Sequence, residues 1–494
     1  MTAIHRILST DGRRFAAFAL VLTMLRIVSL VFGDPDLGPD EGQYWFWSKT
    51  PDFGYFSKPP LIAWTIAATT WVFGDAEWAV RIASPLFQLG AASFLFLLCR
   101  RIAGARAAFL AGAFWLTMPG VFLSSALITT DAPLVFFWSA ALYFFFVLTD
   151  EKAEGGKART AALLGAAIGL GMLSKYAMTY FLLGAALALA FSPARRRAIG
   201  VANILIAAVA ALAILSPNLW WNAAHDFQTI SHTAANADWN GDFGHPGQLA
   251  KFLGDQVGVA GPILLALILL AALFVRRGRP AREADAMRTL LAFSIPAMAI
   301  VSLQAFISRA HGNWAAVAYP SAIVMTAVWA IGGPRTAYAA KANVALHLAV
   351  GLGFLAAFSN FAFADAIGAD KAFKKLRGWQ APGAEIARIS EGFDAIMTDD
   401  REVTGELVYY ARGGKRVVAW NSNNAIDSHF EAFNGFDPDR DRRVLYVSTN
   451  ADALYIQGRF GKIRKIGSIE TDIARGRKRT LYLYDVSDYA AQGA

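Results

Sequence analysis

The chain has one cysteine, Cys99, among 494 residues, so it has no internal disulfide, and no Cys/His cluster has the spacing of a structural zinc site. Charge is scarce as well: Asp, Glu, Lys and Arg make up 17% of the residues, against about a quarter in a soluble domain. That excludes an ordinary soluble enzyme. No glycine-rich phosphate loop is present, since QVGVAG at 256–261 lacks the lysine of a P-loop. The formal net charge of +9 does not come from a basic groove interleaved with stacking aromatics, which argues against a nucleic-acid partner.

What the chain does have is apolar length, with 56% hydrophobic and 13% aromatic residues. Charge is unevenly spread: residues 364–494 carry 20 Lys/Arg and 19 Asp/Glu, leaving 44 charged residues for the first 363. We read residues 1–363 as a membrane domain and 364–494 as a soluble one. About eleven stretches approach the roughly 20 apolar residues of a span: 15–33, 79–99, 105–121, 131–149, 161–174, 176–191, 199–217, 257–275, 289–307, 314–331 and 343–363. The first contains Arg26 and lacks a small-x-small cleavage site, so it reads as a retained span.

Counting Lys and Arg in alternate loops orients the chain. With the N-terminus cytoplasmic, 19 of the 26 basic residues of the membrane part lie inside, among them Arg6, Arg100, Arg195, Arg276, Arg277, Arg279 and Arg335, and six lie outside. Keeping this parity requires LIAWTIAATTWVFG, 61–74, to lie along the outer interface, and it is short for a span. The C-terminal region then falls outside. Within it FDAIMTDD, KRVVAW, RRVLYVST and RTLYLYDVS read as strands, and REVTGELVYYARGG as a helix ending in glycines. The expected fold is a multi-span α-helical membrane protein of about eleven or more transmembrane helices. Amphipathic periplasmic loop helices and a small C-terminal α/β periplasmic domain complete it, in a bacterial inner membrane.

The spans are nearly free of ionisable groups through their middles, which argues against an ion-coupled transporter. Polar residues gather at the outer ends instead. The first loop, about 34–78, contains LGPDEGQYWFWSKTPDFGYFSKPP, which places Asp40, Glu41, Tyr44, Trp45, Tyr55 and Lys58 together. On a helix the adjacent Asp40 and Glu41 diverge by about 100°, so one can face a cavity while the other anchors the loop. Asp131 opens a span, where a helix cap is its plain alternative role; Lys175 lies between two apolar segments, where it can also snorkel. Arg81 begins a span, and Arg309, His311, Asn313, Trp314 and Tyr319 crowd another outer turn. Carboxylates, cations and aromatics at one membrane level suit a substrate that is part lipid, part phosphate and part sugar.

The run PDEGQYWFWSKTPDFGYFSKPPLIAW, then ITTDAPL, GLGMLSKY and HGNWAAVAYP, resembles the polyprenyl-phosphate-dependent type-C membrane glycosyltransferases. The nearest branch looks like that of the lipid A aminoarabinose transferases and protein O-mannosyltransferases. RGWQAPGAEIARI and IMTDDREVTGELVYYARGG extend the likeness into the tail. The resemblance implies transfer of one sugar, with inversion, from a polyprenyl-phosphate donor to an acceptor at the periplasmic face. It implies catalytic roles for Asp40, Glu41 and Asp131, and donor phosphate or lipid binding by Lys58, Lys175, Arg81, Arg309 and Tyr319. Tyr44, Trp45, Tyr55, His311, Asn313 and Trp314 would contact sugar or acceptor. Where aminoarabinose-transfer members often carry Glu before the loop lysine, this chain has Ser57, which bears on both a metal ligand there and that donor.

The sequence assigns no cofactor and leaves a divalent metal ion open. The expected partners are the donor, a glycolipid acceptor such as lipid A or core, or a protein, and membrane lipids. A lipid-linked sugar flippase and a non-catalytic envelope assembly factor are the rivals from other classes; the flippase should show inverted repeats or midplane polar residues, and neither is found.

Overall fold

The computed structural model describes residues 10–152, 155–235, 244–274, 280–423 and 425–490. Arg6, Arg276, Arg277 and Arg279, counted above for orientation, lie outside the described residues. The chain divides into two compact units, one formed by residues up to 28, 58–62 and 81–355, the other by 29–57, 63–80 and 356 onward.

The first unit is helical. Among the described residues six helical runs are long and apolar enough to cross a membrane: Thr10–Val31, Glu77–Thr117, Asp131–Leu148, Val201–Ala224, Ala281–Ile307 and Pro334–Ser359. Two further pairs pass only as bent runs, Tyr176–Phe191 with Pro193–Ile199 and Pro246–Ala260 with Pro262–Phe274, at 113° and 106°. The second bend has a local cause. Gly261 adopts φ +79, open to a residue without Cβ, and the proline after it disfavours helix. The 79–99 and 105–121 stretches are two helices within the run Ala83–Thr117, separated by a kink at Gly104, where φ is 83 and ψ −177. Few residues of the Val201–Ala224 helix are buried, and it presents Leu205, Val209 and Leu212 outward. A face so apolar and so open is one that meets lipid.

Close helix contacts rest on small residues. A Cβ on Gly165 would lie 2.1 Å from the Ala207 carbonyl oxygen, and one on Gly169 2.9 Å from that of Ala211, so the Lys157–Ser174 and Val201–Ala224 helices meet backbone to backbone.

The second unit carries a five-stranded sheet in the order β2-β1-β3-β5-β4, built from β1 (Ala395–Thr398), β2 (Val417–Ala419), β3 (Arg443–Ser448), β4 (Phe460–Ala474) and β5 (Arg477–Tyr489). β1 runs parallel to β2 and β3, joined to β2 through the helix Arg401–Tyr410, while β5 is antiparallel to both β3 and β4. Four of these strands and that helix coincide with the segments read from the sequence. β4 was not among them: it pairs with β5 alone and is studded with Lys462, Arg464, Lys465, Glu470 and Asp472, as an edge strand protected against further pairing is.

The first loop packs within this unit. Its helix Pro39–Ser48 lies on Arg401–Tyr410, where a Cβ on Gly42 would fall 2.0 Å from the Gly405 carbonyl oxygen. The Tyr410 hydroxyl accepts the Leu37 N–H at 2.6 Å, and Asp36 accepts the Trp379 N–H at 2.8 Å.

Filling a backbone contact with side chain costs about 1–3 kcal/mol. Gly165→Val is therefore expected to lower the apparent Tm of the detergent-purified chain by several degrees. Gly353→Val, where nothing lies within 4 Å, is the control; equal losses in both would remove the packing argument.

Candidate functional site

The fourteen side chains singled out in the sequence fall into both units. Asp40, Glu41, Tyr44, Trp45 and Tyr55 belong to the second unit, and Lys58, Arg81, Asp131, Lys175, Arg309, His311, Asn313, Trp314 and Tyr319 to the first.

In the first unit the polar residues converge on Asp131. It is the first residue of the helix Asp131–Leu148 and makes no cap; Thr130 holds the cap position. One carboxylate oxygen accepts Lys175 Nζ at 2.7 Å and the other accepts Asn313 Nδ2 at 2.6 Å. Lys175 reaches it because the chain breaks there: between the helix Lys157–Ser174 and the turn Tyr176–Met178 its backbone is extended, with φ −165 and ψ 135. The ammonium therefore does not simply snorkel. The pair is mostly buried, with side-chain exposures of 23% and 11%. One Nζ donor is used by Asp131, and the other two have no protein partner among the described residues.

The turn that carries Asn313, Gly312–Ala318, is fixed from its other side. Tyr319 donates its hydroxyl to Gln256 Oε1 at 2.7 Å, and Gln256 Nε2 donates to the Gly312 carbonyl at 3.1 Å. His311 and Trp314 stand edge to face at 5.4 Å. The Tyr176 hydroxyl donates to Asn218 Oδ1 at 2.8 Å and accepts from Asn222 Nδ2 at 3.2 Å, tying the segment after Lys175 to a neighbouring helix. Gln256, Asn218 and Asn222 were not singled out by sequence. Their only signal was an amide inside an otherwise apolar run. Of the remaining cations, Arg81 is buried, Lys58 half-buried and Arg309 exposed.

In the second unit Glu41 and Asp40 point to different work, as adjacent helical residues do. Glu41 is buried and accepts the Gly38 N–H at 2.8 Å, closing the first turn of its own helix. Asp40 is 62% exposed and pairs with Arg401, whose Nη1 donates to Asp40 Oδ1 at 2.9 Å and to Gln43 Oε1 at 3.0 Å. Arg401 starts its helix directly after Asp400, whose side chain caps the Glu402 and Val403 N–H groups at 2.7 and 3.0 Å.

The loop aromatics are buried. Tyr55 stacks on Trp47 at 4.5 Å and 4°, Trp45 meets the edge of Tyr409 at 4.9 Å with Lys49 over its face, and Tyr44 lies 5.2 Å from Trp47. Burial pushes the Tyr55 phenol up to about 12, against the Asp52 N–H that it accepts and together with the Asp52 carboxylate. His429 packs against Trp47 and Tyr55, and burial pushes its pKa down to about 3. Among the described residues no three His, Cys, Asp or Glu side chains converge to hold a metal ion.

A multi-pass membrane protein with an ion-paired carboxylate and lysine at a helix break of its helical unit, and a second ion pair on the loop helix of its sheet-bearing unit, is the class this fold and these clusters define. Comparison with known proteins agrees. A family model described as dolichyl-phosphate-mannose-protein mannosyltransferase matches residues 57–221. The lipid A galacturonosyltransferase RgtD of Rhizobium johnstonii is 33% identical over 443 residues, covering 87% of this chain and 90% of that one. An undecaprenyl phosphate-alpha-4-amino-4-deoxy-L-arabinose arabinosyl transferase of Shewanella sediminis is 30% identical over 179 residues, 32% of each chain. Among solved structures, ArnT from Cupriavidus metallidurans bound to undecaprenyl phosphate superposes with a TM-score of 0.68 at 17% identity, covering 97% of this chain and 98% of that one. The chain belongs to the type-C membrane glycosyltransferases, and it is a glycosyltransferase.

Two outcomes follow. Removing one member of a buried ion pair strands the other and costs more than removing both. Lys175→Met is thus expected to lower the apparent Tm more than the double variant Lys175→Met/Asp131→Asn; additive losses would show that the pair is not coupled. Between about 3 and its ordinary 6.5, His429 in the unfolded chain binds a proton that the folded chain refuses, so stability falls as pH drops through that window. His429→Phe should shrink the difference in apparent Tm between about pH 7 and about pH 5; an unchanged difference would assign the acid sensitivity elsewhere.

Proposed function

We propose that this glycosyltransferase moves one sugar from a polyprenyl-phosphate donor to lipid A, at the periplasmic face of a bacterial inner membrane. The observation that carries the reading is the 33% identity to a lipid A galacturonosyltransferase over nearly the whole of both chains. That likeness favours a galacturonosyl unit over aminoarabinose, whose transferase relatives match over at most 32% of their length. The charge asymmetry of the loops supports a cytoplasmic N-terminus and, with an odd number of crossings such as the eleven apolar stretches would give, an outward C-terminal domain; the charge distribution supports residues 1–363 as the membrane part and 364–494 as the soluble part.

In the proposed reaction the acceptor oxygen attacks the anomeric carbon from the face opposite the phosphate. The new C–O bond forms as the bond to phosphate breaks, the electron pair leaves with polyprenyl phosphate, and the anomeric configuration inverts. The two open N–H donors of Lys175 are suited to the phosphate oxygens, assisted by Lys58, Arg81 and Arg309. Asp131 holds that ammonium in place, Asn313 holds Asp131, and Tyr319 steadies the Asn313 turn through Gln256. Asp40 acts on the acceptor: it takes the proton of a hydroxyl, or orients a phosphate that is already ionised. Glu41 braces its helix, and His311 and Trp314 offer surfaces to the sugar, with Tyr44, Trp45 and Tyr55 shaping the loop.

A strain lacking the gene is expected to lose one sugar from lipid A in mass spectrometry and to accumulate its lipid-linked donor. Asp40→Asn should fail to restore the sugar while reaching normal abundance in the membrane, and about a hundredfold loss of turnover is expected of a lost general base. Unchanged lipid A with a missing sugar on a protein would instead favour the protein-acceptor reading suggested by the mannosyltransferase family match.

A further inference from the structure

The Asp40–Arg401 pair is only half used by the protein. Arg401 directs Nη1 alone at protein oxygens, those of Asp40 and Gln43; its Nε and Nη2 have no partner among the described residues. Asp40 in turn accepts on Oδ1, and its Oδ2 has no partner among them either. Both side chains are open, 42% exposed for Arg401 and 62% for Asp40. A guanidinium edge of two parallel N–H groups matches an oxyanion better than any other side chain does. An exposed surface pair has little reason to hold one geometry, but this one is set in place. Gln43 is buried, Asp400 caps the turn that presents Arg401, and the Gly42–Gly405 contact leaves the two helices no room to slide.

We propose that Arg401 is an anion-binding residue of the transferase site: through Nη1 it fixes Asp40, and on its Nε/Nη2 edge it receives a phosphate oxygen of a substrate, which sets the reacting group beside the free oxygen of Asp40. The inference rests on the reading that Asp40 works on the acceptor. It makes the region after the last apolar helix a contributor to the reaction. The ligand chemistry is a phosphate oxyanion, whether it belongs to the lipid-linked donor or to the acceptor glycolipid.

The test uses the full chain in nanodiscs, with donor and acceptor varied separately, for wild type, Arg401→Gln, Arg401→Lys and Asp40→Asn. Arg401→Gln should raise the KM of one substrate about tenfold or more, while kcat changes less. Arg401→Lys keeps the charge but not the fork and should fall between. If the donor KM moves, the anion is the donor phosphate. If the acceptor KM moves, and an acceptor stripped of its phosphates no longer distinguishes wild type from Arg401→Gln, the anion is the acceptor's. Loss of kcat with both KM values unchanged, or no change in either constant, overturns anion binding. Should Arg401→Gln fail to accumulate, Arg401→Lys decides alone, since a wild-type KM for both substrates with it overturns the fork. Full turnover in Asp40→Asn would overturn the role of Asp40 while leaving an Arg401 effect on KM standing, so the two readings fail separately.

Discussion

The constraint on which most of this structure depends is that a charge removed from water needs its compensation close by, because the alternative costs several kcal/mol in an apolar bundle. Few charges are placed in the first unit, and those that are buried come with partners. Asp131 is met by Lys175 and Asn313. Arg195 is met by Asp285 and the Thr149 hydroxyl, each at 2.8 Å, with its guanidinium over Phe146. Arg26, within a long apolar helix, is met only in part: it donates to the Leu116 carbonyl and lies over the Phe122 ring at 4.6 Å, while its Nε and Nη1 are buried with no hydrogen-bond partner among the described residues.

The same constraint shapes chemistry. In the proposed reaction, a lysine that neutralises a leaving phosphate cannot wait unpaired among apolar helices, and it cannot be wholly consumed by its partner. Lys175 satisfies both demands: one donor holds Asp131 and two remain open. The extended backbone at Lys175 is what makes this reach available, since a continuous helix would carry the side chain along its flank. Asp40 presents the complementary case in the second unit, a carboxylate with one oxygen held by Arg401 and one open. A half-satisfied pair is held in place and still able to bind.

Much of this was legible in the sequence because it follows from local composition. The apolar runs, the outer-end clusters, the four strands and the 401–410 helix are periodic or compositional signals, and the order PDEGQYWFW, ITTDAPL, GLGMLSKY, HGNWAAVAYP points to the family. The divergence of Asp40 from Glu41 follows from helix geometry alone. β4 escaped because its isoleucines, Ile463, Ile466, Ile469 and Ile473, stand three or four residues apart among charged and small ones, a helical and not a strand spacing. Gln256 escaped because a single amide in an apolar stretch gives no hint of a tyrosine 63 positions on.

The sequence by itself determined that the first 363 residues are apolar enough for a bilayer and which side-chain types are kept at the ends of the apolar runs, because transfer from water depends on composition over about 20 residues; of the eleven stretches, 161–174 and 314–331 are not among the six long helical runs and two bent pairs of the described residues. It also carried the family membership. Tertiary structure alone decided which partners meet: Lys175 with Asp131 across 44 positions, Asn313 with Asp131 across 182, and Arg401 with Asp40 across 361. Pairing of charges depends on distance in space, to which separation along the chain is no guide.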